Sequence, residues 1–257
     1  MTIIERVKRS VELYNTGLNC KQISKILNVS SATIERDLRS ESIVLDKYSR
    51  RRYSNRDINH DFFRELLSED RLYYLGFIYA DGNIYKRKTL NSSWRLNIEI
   101  HIKDREILDK FNINHTICDN LKKNSTRMEI CSDQICSDLQ NYGITPRKSL
   151  TCLFPNLPDD NIHHFIRGYF DGDGGFSINK KNILIGYICG TFEFLTSLGR
   201  YLPCKYSIRK IGHVNSNTYE LRPSTVKKEM DKFVDFLYKD AHFFLSRKYI
   251  KSHGNHR

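Results

Sequence analysis

Two aspartates at matching positions of a repeated segment are the residues whose type and spacing could do chemistry. Residues 75–82 read LGFIYADG and residues 167–174 read RGYFDGDG, so Asp81 and Asp173 lie 92 positions apart in the same local context. One Asp-Gly pair after an apolar run is a common turn signal. Two copies, each with a glycine five residues before the aspartate, favour a functional pair. Carboxylate oxygens are the ligands that hard divalent cations prefer, so the pair predicts a metal site.

Small residues four positions apart precede both aspartates. They are Gly76 and Ala80 in the first copy and Gly168 and Gly172 in the second. Residues at this spacing lie on one face of a helix, and small side chains there let two helix backbones approach closely. We therefore predict that the two segments are helices packed against each other, with both aspartates side by side at one end.

The end that carries the aspartates is predicted to be the C-terminal end of each helix. Gly82 and Gly174 follow the aspartates, where a residue in the left-handed αL conformation commonly ends a helix. A carboxylate at this end is disfavoured by the helix dipole by about 0.3–1 kcal/mol, and two adjacent carboxylates repel each other further. A bound divalent cation would compensate for this arrangement.

The repeat extends beyond the two motifs. The offset of 92 also aligns Thr126 with Thr218, and an offset of 100 aligns Lys148 with Lys248. A small insertion in the second copy would explain the drift. A supersecondary unit of about 90 residues therefore occurs twice in the chain.

These motifs resemble the two signature helices of the LAGLIDADG homing endonucleases in their single-chain form. The likeness covers about residues 62–250. It implies an α+β fold with two pseudo-symmetric αββαββα halves, residues 62–150 and 151–257, whose sheets form a saddle over the DNA major groove. It also implies a monomer with internal pseudo-twofold symmetry that cuts both strands of a double-stranded DNA target site.

The same resemblance implies roles for the residues around the aspartate pair. The last acidic residue of each motif would be catalytic and would bind Mg²⁺ or Mn²⁺, and each would hydrolyse one strand. The implied metal ligands are Asp81, Asp173, Gly82 and Gly174.

Two lysines and one departure from the motif complete the implied site. Lys148 and Lys248 would be catalytic residues near the scissile phosphates, where they polarise solvent or offset developing negative charge. Tyr79 stands in the first motif where the second has Asp171. That position is usually not catalytic in the family, so the departure leaves the implied chemistry intact.

A polar strand surface is predicted in the first half, and the second half offers a less regular set of basic candidates. Residues 94–103, WRLNIEIHIK, alternate between apolar and polar side chains, which predicts a strand with one face toward the helices and one toward a partner. Arginine and asparagine side chains can read guanine and adenine edges. The predicted DNA contacts of the two halves are Arg95, Asn97, His101, Lys180, Lys181, Arg209 and Arg222.

Residues 1–45 predict a small helical unit, and residues 46–61 predict a basic linker. Segment 20–39 resembles a helix-turn-helix, with a tight turn at residues 28–30 and a last helix that could enter the major groove. A three-helix bundle that contacts protein is the alternative. The predicted DNA contacts here are Ser31, Thr33 and Arg36 in the helix and Arg50, Arg51 and Arg52 in the linker.

Composition narrows the class of protein further. The formal net charge of +12 favours phosphate polyanions as partners. No apolar run approaches the roughly 18 residues of a membrane span, and the first residues lack a signal-peptide core, which predicts a cytoplasmic protein. With the resemblance, this suggests a bacterial or phage-encoded, nucleoid-associated chain. The seven cysteines are scattered, which predicts reduced thiols and disfavours a zinc-dependent or His-Cys nuclease.

Two other functions remain open on the same scaffold. One is a transcription regulator that binds DNA without cutting it, although such regulators often lose the acidic pair that this chain keeps. The other is an RNA-splicing maturase, which resembles the nuclease in sequence. Assays of cleavage and of RNA binding would separate the three.

Overall fold

The chain divides into two compact units, residues 1–58 and 59–257. The computed structural model describes residues 2–15, 18, 20–41, 43, 58–88, 92–111, 113, 117–148, 151–211 and 216–254. The division falls within the predicted linker. Most of that linker, with Arg50, Arg51 and Arg52, lies outside the described residues. None of the helices in the described ranges is long and apolar enough to cross a membrane.

The first unit consists of three helices around a small core. The helices are α1 (Ile3–Asn15), α2 (Cys20–Leu27) and α3 (Ser31–Ser40). Ile23, Ile34 and Leu38 are fully buried between them. The turn before α3 uses Asn28 at a φ of 52°, a left-handed conformation that asparagine tolerates better than most residues. The expected helix, turn and helix order is therefore present.

Side-chain contacts fix the position of α3 within this unit. The Ser30 hydroxyl accepts a hydrogen bond from the Thr33 amide at 3.1 Å, which caps the helix. Arg6 of α1 pairs with the buried Asp37 of α3 through two hydrogen bonds of 2.7 and 3.0 Å. Because both charges are satisfied, this pair orients α1 against α3.

The second unit contains two copies of one αββαββα arrangement. The first copy is α4 (Glu69–Asp81), β1 (Gly82–Lys86), β2 (Trp94–His101), α5 (Arg105–Asp109), β3 (Ile117–Asn120), β4 (Ser125–Cys131) and α6 (Asp133–Asn141). The second copy is α7 (Ile162–Asp173), β5 (Gly174–Ile178), β6 (Leu184–Gly190), α8 (Phe192–Gly199), β7 (Tyr206–Lys210), β8 (Tyr219–Pro223) and α9 (Lys227–Tyr238). Helix α10 (Ser246–Ser252) follows the second copy.

Each copy forms one antiparallel four-stranded sheet. The strand orders are β1-β2-β4-β3 and β5-β6-β8-β7, so both sheets have the same topology. Helices α4 and α7 pack against each other between them, and residues 72–79 of α4 are all buried. A helix that contacts neighbours on every side carries apolar residues all round. This confirms the predicted α+β fold with two similar halves.

The alternation predicted for residues 94–103 is correct along the strand itself. Leu96, Ile98 and Ile100 are buried on one face of β2. The strand ends at His101, because the next residues turn into a short 3-10 helix, Ile102–Asp104. Lys103 therefore does not continue the polar face of the strand.

Strand register corrects the predicted alignment of the two copies. Gly82 pairs with Ile98 and Gly174 pairs with Ile188, so these residues are equivalent. Ile98 and Ile188 pair in turn with Met128 and Leu221. Position 128 therefore matches position 221, and Thr126 matches Tyr219 instead of Thr218. Loops of different length between the strands shift the offset, which a constant spacing cannot capture.

The two halves also contact each other away from the central helices. Arg247 of α10 pairs with the buried Asp104 of the first half at 2.5 Å, and Ser246 donates to Glu106 from both its amide and its hydroxyl. The end of the second half is therefore anchored on the first.

Candidate active site

The helix pair α4/α7 is packed as closely as two backbones allow. A Cβ atom added at Gly76 would lie 2.8 Å from the Tyr169 amide nitrogen, and one added at Gly168 would lie 2.8 Å from the Tyr73 carbonyl carbon. A Cβ atom at Gly172 would overlap the Ala80 side chain and lie 3.1 Å from Asp81 Oδ2. The four small residues predicted as the helix interface lie along this close approach of α4 and α7.

The two glycines after the aspartates have a different role from the one predicted. Gly82 has φ −80° and ψ 150°, and Gly174 has φ −119° and ψ −177°. Both are extended and begin β1 and β5, so the expected αL caps are wrong. Glycine is needed for space, because an added Cβ would lie 2.7 Å from the Ile78 carbonyl oxygen or 2.8 Å from the Phe170 carbonyl oxygen.

The two aspartates end their helices close to each other. Asp81 is the last residue of α4 and Asp173 is the last residue of α7. The Asp81 side chain is exposed at the surface. Partial desolvation of the carboxyl by the surrounding protein, and then the charge of Asp173, raise the pKa of Asp81 to about 6. A carboxylate whose charge is disfavoured by its neighbours is a common mark of a functional site.

Asp173 is half-buried and is affected by the same two lysines as Asp81. Burial raises the pKa of the Asp173 carboxyl, while the charge of Lys148, the nearby Tyr169 hydroxyl and the charge of Lys248 oppose that effect. Among the described residues, neither Asp81 nor Asp173 forms an ion pair within 4 Å. Their carboxylate oxygens are therefore available to a cation.

Two buried lysines occupy equivalent positions beneath the aspartates. Lys148 Nζ donates to the Gly82 carbonyl oxygen at 2.5 Å, and Lys248 Nζ donates to the Gly174 carbonyl oxygen at 2.6 Å. Lys248 also donates to the Phe170 and Asp171 carbonyl oxygens at 2.8 and 2.6 Å. The predicted equivalence of the two lysines is reflected in the same contact in both halves.

These contacts revise what the lysines and glycines do. The ammonium groups point at the C-terminal carbonyls of α4 and α7, where a positive charge offsets the helix dipole. They do not point outward to a phosphate in this structure. The Gly82 and Gly174 carbonyl oxygens already accept hydrogen bonds from these lysines. Among the predicted metal ligands, the two carboxylates are the ones left open.

The donor set fits a hard divalent cation. Two aspartates supply oxygen atoms at one end of the helix pair, and Mg²⁺ is usually held by one or two carboxylates with water and substrate phosphate completing its shell. The cost of placing two negative groups at two negative helix ends is the physical reason for a cation here.

A buried charged network beside the site is missing from the sequence-based prediction. Arg167 is fully buried and pairs with Glu69 at the start of α4 at 2.5 Å. Asp171 accepts hydrogen bonds from the Tyr73 hydroxyl at 2.7 Å and the Leu245 amide at 2.8 Å. The contacts of Arg167 with Glu69 and of Asp171 with Tyr73 link the halves. An arginine is rarely buried without a charged partner. Arg167 within the apolar sequence of α7 is therefore the signal that could have indicated this network.

One glutamate forms ion pairs and a hydrogen bond with several polar side chains of the first sheet. Glu129 of β4 pairs with Arg95 and Arg127 and accepts a hydrogen bond from Tyr85 at 2.5 Å. Arg127 also donates to Asn97 Oδ1 at 2.5 Å. The predicted DNA contacts Arg95 and Asn97 therefore lie in one network. His101 is exposed at the end of β2 and accepts from the Lys103 amide at 3.1 Å.

The second sheet has a corresponding network with the charges exchanged. Glu220 of β8 pairs with Arg209 at 3.0 Å and with Arg222. By strand register, Glu220 occupies the position of Arg127, and Arg222 occupies the position of Glu129. Lys180 and Lys181 are exposed in the turn between β5 and β6, beyond the strands.

Three of the predicted DNA contacts in the first unit lie within the described residues, and two of them, Ser31 and Thr33, form hydrogen bonds at the turn before α3. The Ser31 hydroxyl contacts the Ser24 hydroxyl at 3.3 Å, and the Thr33 hydroxyl contacts the Ser30 hydroxyl at 2.9 Å. Both hydroxyls thus support the turn before α3. Arg36 is exposed on α3.

The architecture of residues 59–257 is the fold of the LAGLIDADG homing endonucleases. The structure of meganuclease I-SmaMI bound to uncleavable DNA aligns with a TM-score of 0.53 at 16% identity, covering 73% of this chain and 87% of that chain. The I-SmaMI LAGLIDADG homing endonuclease bound to cleaved DNA aligns with a TM-score of 0.50 at 14% identity, covering 72% and 86%. Neither the family models nor the curated protein sequences match this chain.

The coupling between the two aspartates predicts a shifted titration. In the metal-free protein, we expect the Asp81 carboxyl to titrate near pH 6, as its raised pKa indicates. The folded state then holds a proton that the unfolded state has lost, so this group's contribution to stability falls as the pH rises from about 4 through 6. Carboxyl NMR titration of the wild type and of Asp173→Asn checks this, because removal of the Asp173 charge should lower the midpoint. Equal midpoints near pH 4 would contradict the coupling.

The lysine contacts predict unequal losses of stability. Lys248→Met removes the ammonium donor from three carbonyl groups and a positive charge from near the buried Asp171, so we expect a loss of about 2–4 kcal/mol. Lys148→Met should cost less, because Lys148 contacts two carbonyl groups at 2.5 and 3.4 Å. Urea unfolding checks the order, with the exposed Lys180→Met as control. Equal values for all three variants would contradict the capping role.

Proposed function

We propose that this chain is a site-specific DNA endonuclease of the LAGLIDADG homing type that cuts both strands of a duplex. The observation that carries the proposal is the pair of open carboxylates, Asp81 and Asp173, at the joined ends of α4 and α7. The DNA-bound state of structures with the same fold supports a duplex as the partner. The basic net charge is consistent with that partner.

Asp81 and Asp173 would hold Mg²⁺ or Mn²⁺. When bound, the cation lowers the pKa of water and offsets charge on the attacked phosphate. The two carboxylates must be deprotonated to bind it, so we expect binding to strengthen as the pH rises through about 6. Each aspartate would serve one strand, since the two halves are related by the same fold.

The lysines act as positioning residues in this proposal. Lys148 and Lys248 hold the backbone at Gly82 and Gly174, where each helix passes into its first strand. Their charges also lower the pKa of Asp81 and of Asp173, against the opposing effect of burial. The aspartates are thereby kept available for a cation near neutral pH.

The two glutamate networks are proposed to order the DNA-reading arginines before binding. Arg95 and Arg127 are held by Glu129 in the first sheet, and Arg222 by Glu220 in the second. An arginine that is already oriented loses less entropy on contacting a guanine edge. Because the charges are exchanged between the sheets, the two halves of the target should differ in sequence.

Cleavage of a random library distinguishes this proposal from its rivals. The protein is incubated with Mg²⁺ and a randomised duplex library, and the new ends are sequenced. We expect one preferred site cut on both strands. Binding without cutting would favour a transcription regulator, and preferential binding of structured RNA would favour a splicing maturase.

The first unit is proposed as a second DNA-binding module through its helix-turn-helix arrangement. Arg36 is exposed on α3 and would contact a phosphate or a base edge. We expect Arg36→Ala to weaken duplex binding and to reduce the slope of log affinity against log salt by about one. Fluorescence anisotropy at several salt concentrations measures both. An unchanged slope and affinity would exclude this residue from the interface.

A further inference from the structure

Three possible metal ligands meet at the end of α7 opposite Asp173. His163 and His164 lie in the first turn of α7, and Asp240 lies just after α9. One ligand atom from each of the three side chains lies within 4.8 Å of the others. His163 is ten residues before Asp173 on the same helix, about 15 Å along its axis. This cluster is therefore separate from the aspartate pair.

The contacts within the cluster leave one buried nitrogen without a partner. His163 Nε2 is 3.0 Å from Asp240 Oδ1, and the rings of His163 and His164 have centroids 4.0 Å apart. His164 is 6% exposed, and its Nδ1 atom is buried without a hydrogen-bond partner. A buried polar atom left unpaired is rare in folded proteins and needs a physical reason.

The environment of His164 also suits a ligand. Neutral imidazole is the form that binds metal ions, and the Nδ1 atom of His164 is a buried donor atom without a hydrogen-bond partner. Arg167, three residues later in α7, is paired with Glu69 at 2.5 Å, which reduces its repulsion of a cation.

A surface cleft gives access to the cluster. The cleft has a volume of about 440 Å³, and His163, Asp240 and a further carboxylate, Asp235, line it. Lys232 and Lys239 line it as well, and their charges will weaken the binding of a cation, although Lys232 is paired with Glu229 at 2.9 Å. An entry path and a set of nitrogen and oxygen donors are the features that a metal site requires.

We propose that His163, His164 and Asp240 form a second metal site that binds a divalent transition metal such as Zn²⁺. Two imidazoles and one carboxylate are a common set of three protein ligands for zinc, with the fourth position left to water. Imidazole favours zinc over magnesium. Bound metal would tie the start of α7 to the end of α9 and so stabilise the second half.

Calorimetric titration with Zn²⁺ tests the site without DNA and without cleavage. The full chain with Asp81→Asn and Asp173→Asn is used, so that the proposed catalytic carboxylates do not contribute. We expect Zn²⁺ to bind this chain, and we expect the added substitution His163→Ala or Asp240→Asn to weaken binding at least tenfold. His253→Ala, an exposed histidine outside the cluster, is the matched control and should leave binding unchanged.

Thermal unfolding gives an independent readout. At a hundredfold excess of Zn²⁺ over its dissociation constant, the melting temperature should rise by about 5–10 °C. Mg²⁺ should give no such rise in the same chain. The side chains of His163 and Asp240 are 22% and 57% exposed, so both variants should fold, as melting in a chelator will check. Binding that survives both substitutions, or that is absent from the parent chain, would overturn the proposal.

Discussion

Asp81→Asn or Asp173→Asn should lower double-strand cleavage by about 10³-fold or more, while duplex binding stays within a few fold of wild type. The amide keeps the size of the carboxylate but removes the negative charge that holds a hard cation. A loss of 10³-fold corresponds to about 4 kcal/mol of transition-state stabilisation. Supercoiled-plasmid cleavage at saturating protein measures the effect, with gel shift as the binding assay.

Stability separates this result from simple misfolding. The pKa of Asp81 is raised by partial desolvation at the helix junction and by Asp173, so its charge destabilises the folded state at neutral pH. Each asparagine variant should therefore melt at the same temperature as wild type or higher. Such a trade of stability against activity is typical of functional sites. Asp231→Asn, an exposed substitution on α9, is the control and should cleave normally. Full cleavage by either active-site variant would refute the assignment.

Gly168→Ala should destabilise the second unit by about 3 kcal/mol or more and should reduce cleavage as well. A Cβ atom there would lie 2.8 Å from the Tyr73 carbonyl carbon and 2.9 Å from the Phe77 amide nitrogen. Backbone atoms cannot rotate away, so α4 and α7 must separate, which would also move Asp81 relative to Asp173. Overpacking of this kind costs about 1–3 kcal/mol and occasionally more. The expected fall in melting temperature is about 6–12 °C.

A loss of stability in Gly168→Ala is informative, because the helix propensity of alanine alone would raise the stability. Alanine is favoured over glycine within a helix by about 1 kcal/mol, so a net loss must come from the packing of the helix pair. Gly186→Ala in β6 is the matched control, since its Cβ would meet the Phe233 ring at 3.2 Å and a side chain can yield. A stable Gly168→Ala variant with normal cleavage would contradict the packing described for α4 and α7.

The helix pair and its acidic end could be predicted because they depend on local pattern. Small residues at a spacing of four report on one helix face, and Asp81 and Asp173 follow at a fixed distance. The alternation of β2 was predictable for the same reason, since a strand with one buried face has a period of two.

Features that depend on contacts distant in sequence could not be predicted. Gly82 and Gly174 are extended because they begin β1 and β5, where they pair with Ile98 and Ile188, and no local spacing shows these partners. The inward direction of Lys148 depends on helix carbonyls 66 residues earlier in the chain. A surface-exposed lysine and a buried helix-capping lysine look the same in the sequence.

The polar faces of the sheets show the same limit. The sequence predicts Arg95 and Arg222 as DNA contacts, and it does not show that each is paired with a glutamate of its own sheet. Those pairings depend on strand register, which loops of unequal length change between the halves. The exchange of charge between positions 127 and 220 becomes visible only once that register is known.

Anomalous X-ray scattering from crystals of the protein with duplex DNA and Mn²⁺ tests the central claim most directly. The claim is that two carboxylates at the joined ends of α4 and α7 bind the ions of the cleavage site. We predict anomalous density in bonding contact with the carboxylate oxygens of Asp81 and Asp173, and none there in the doubly asparagine-substituted protein. Density elsewhere in the protein, with both carboxylates bound only by water or lysine, would contradict it.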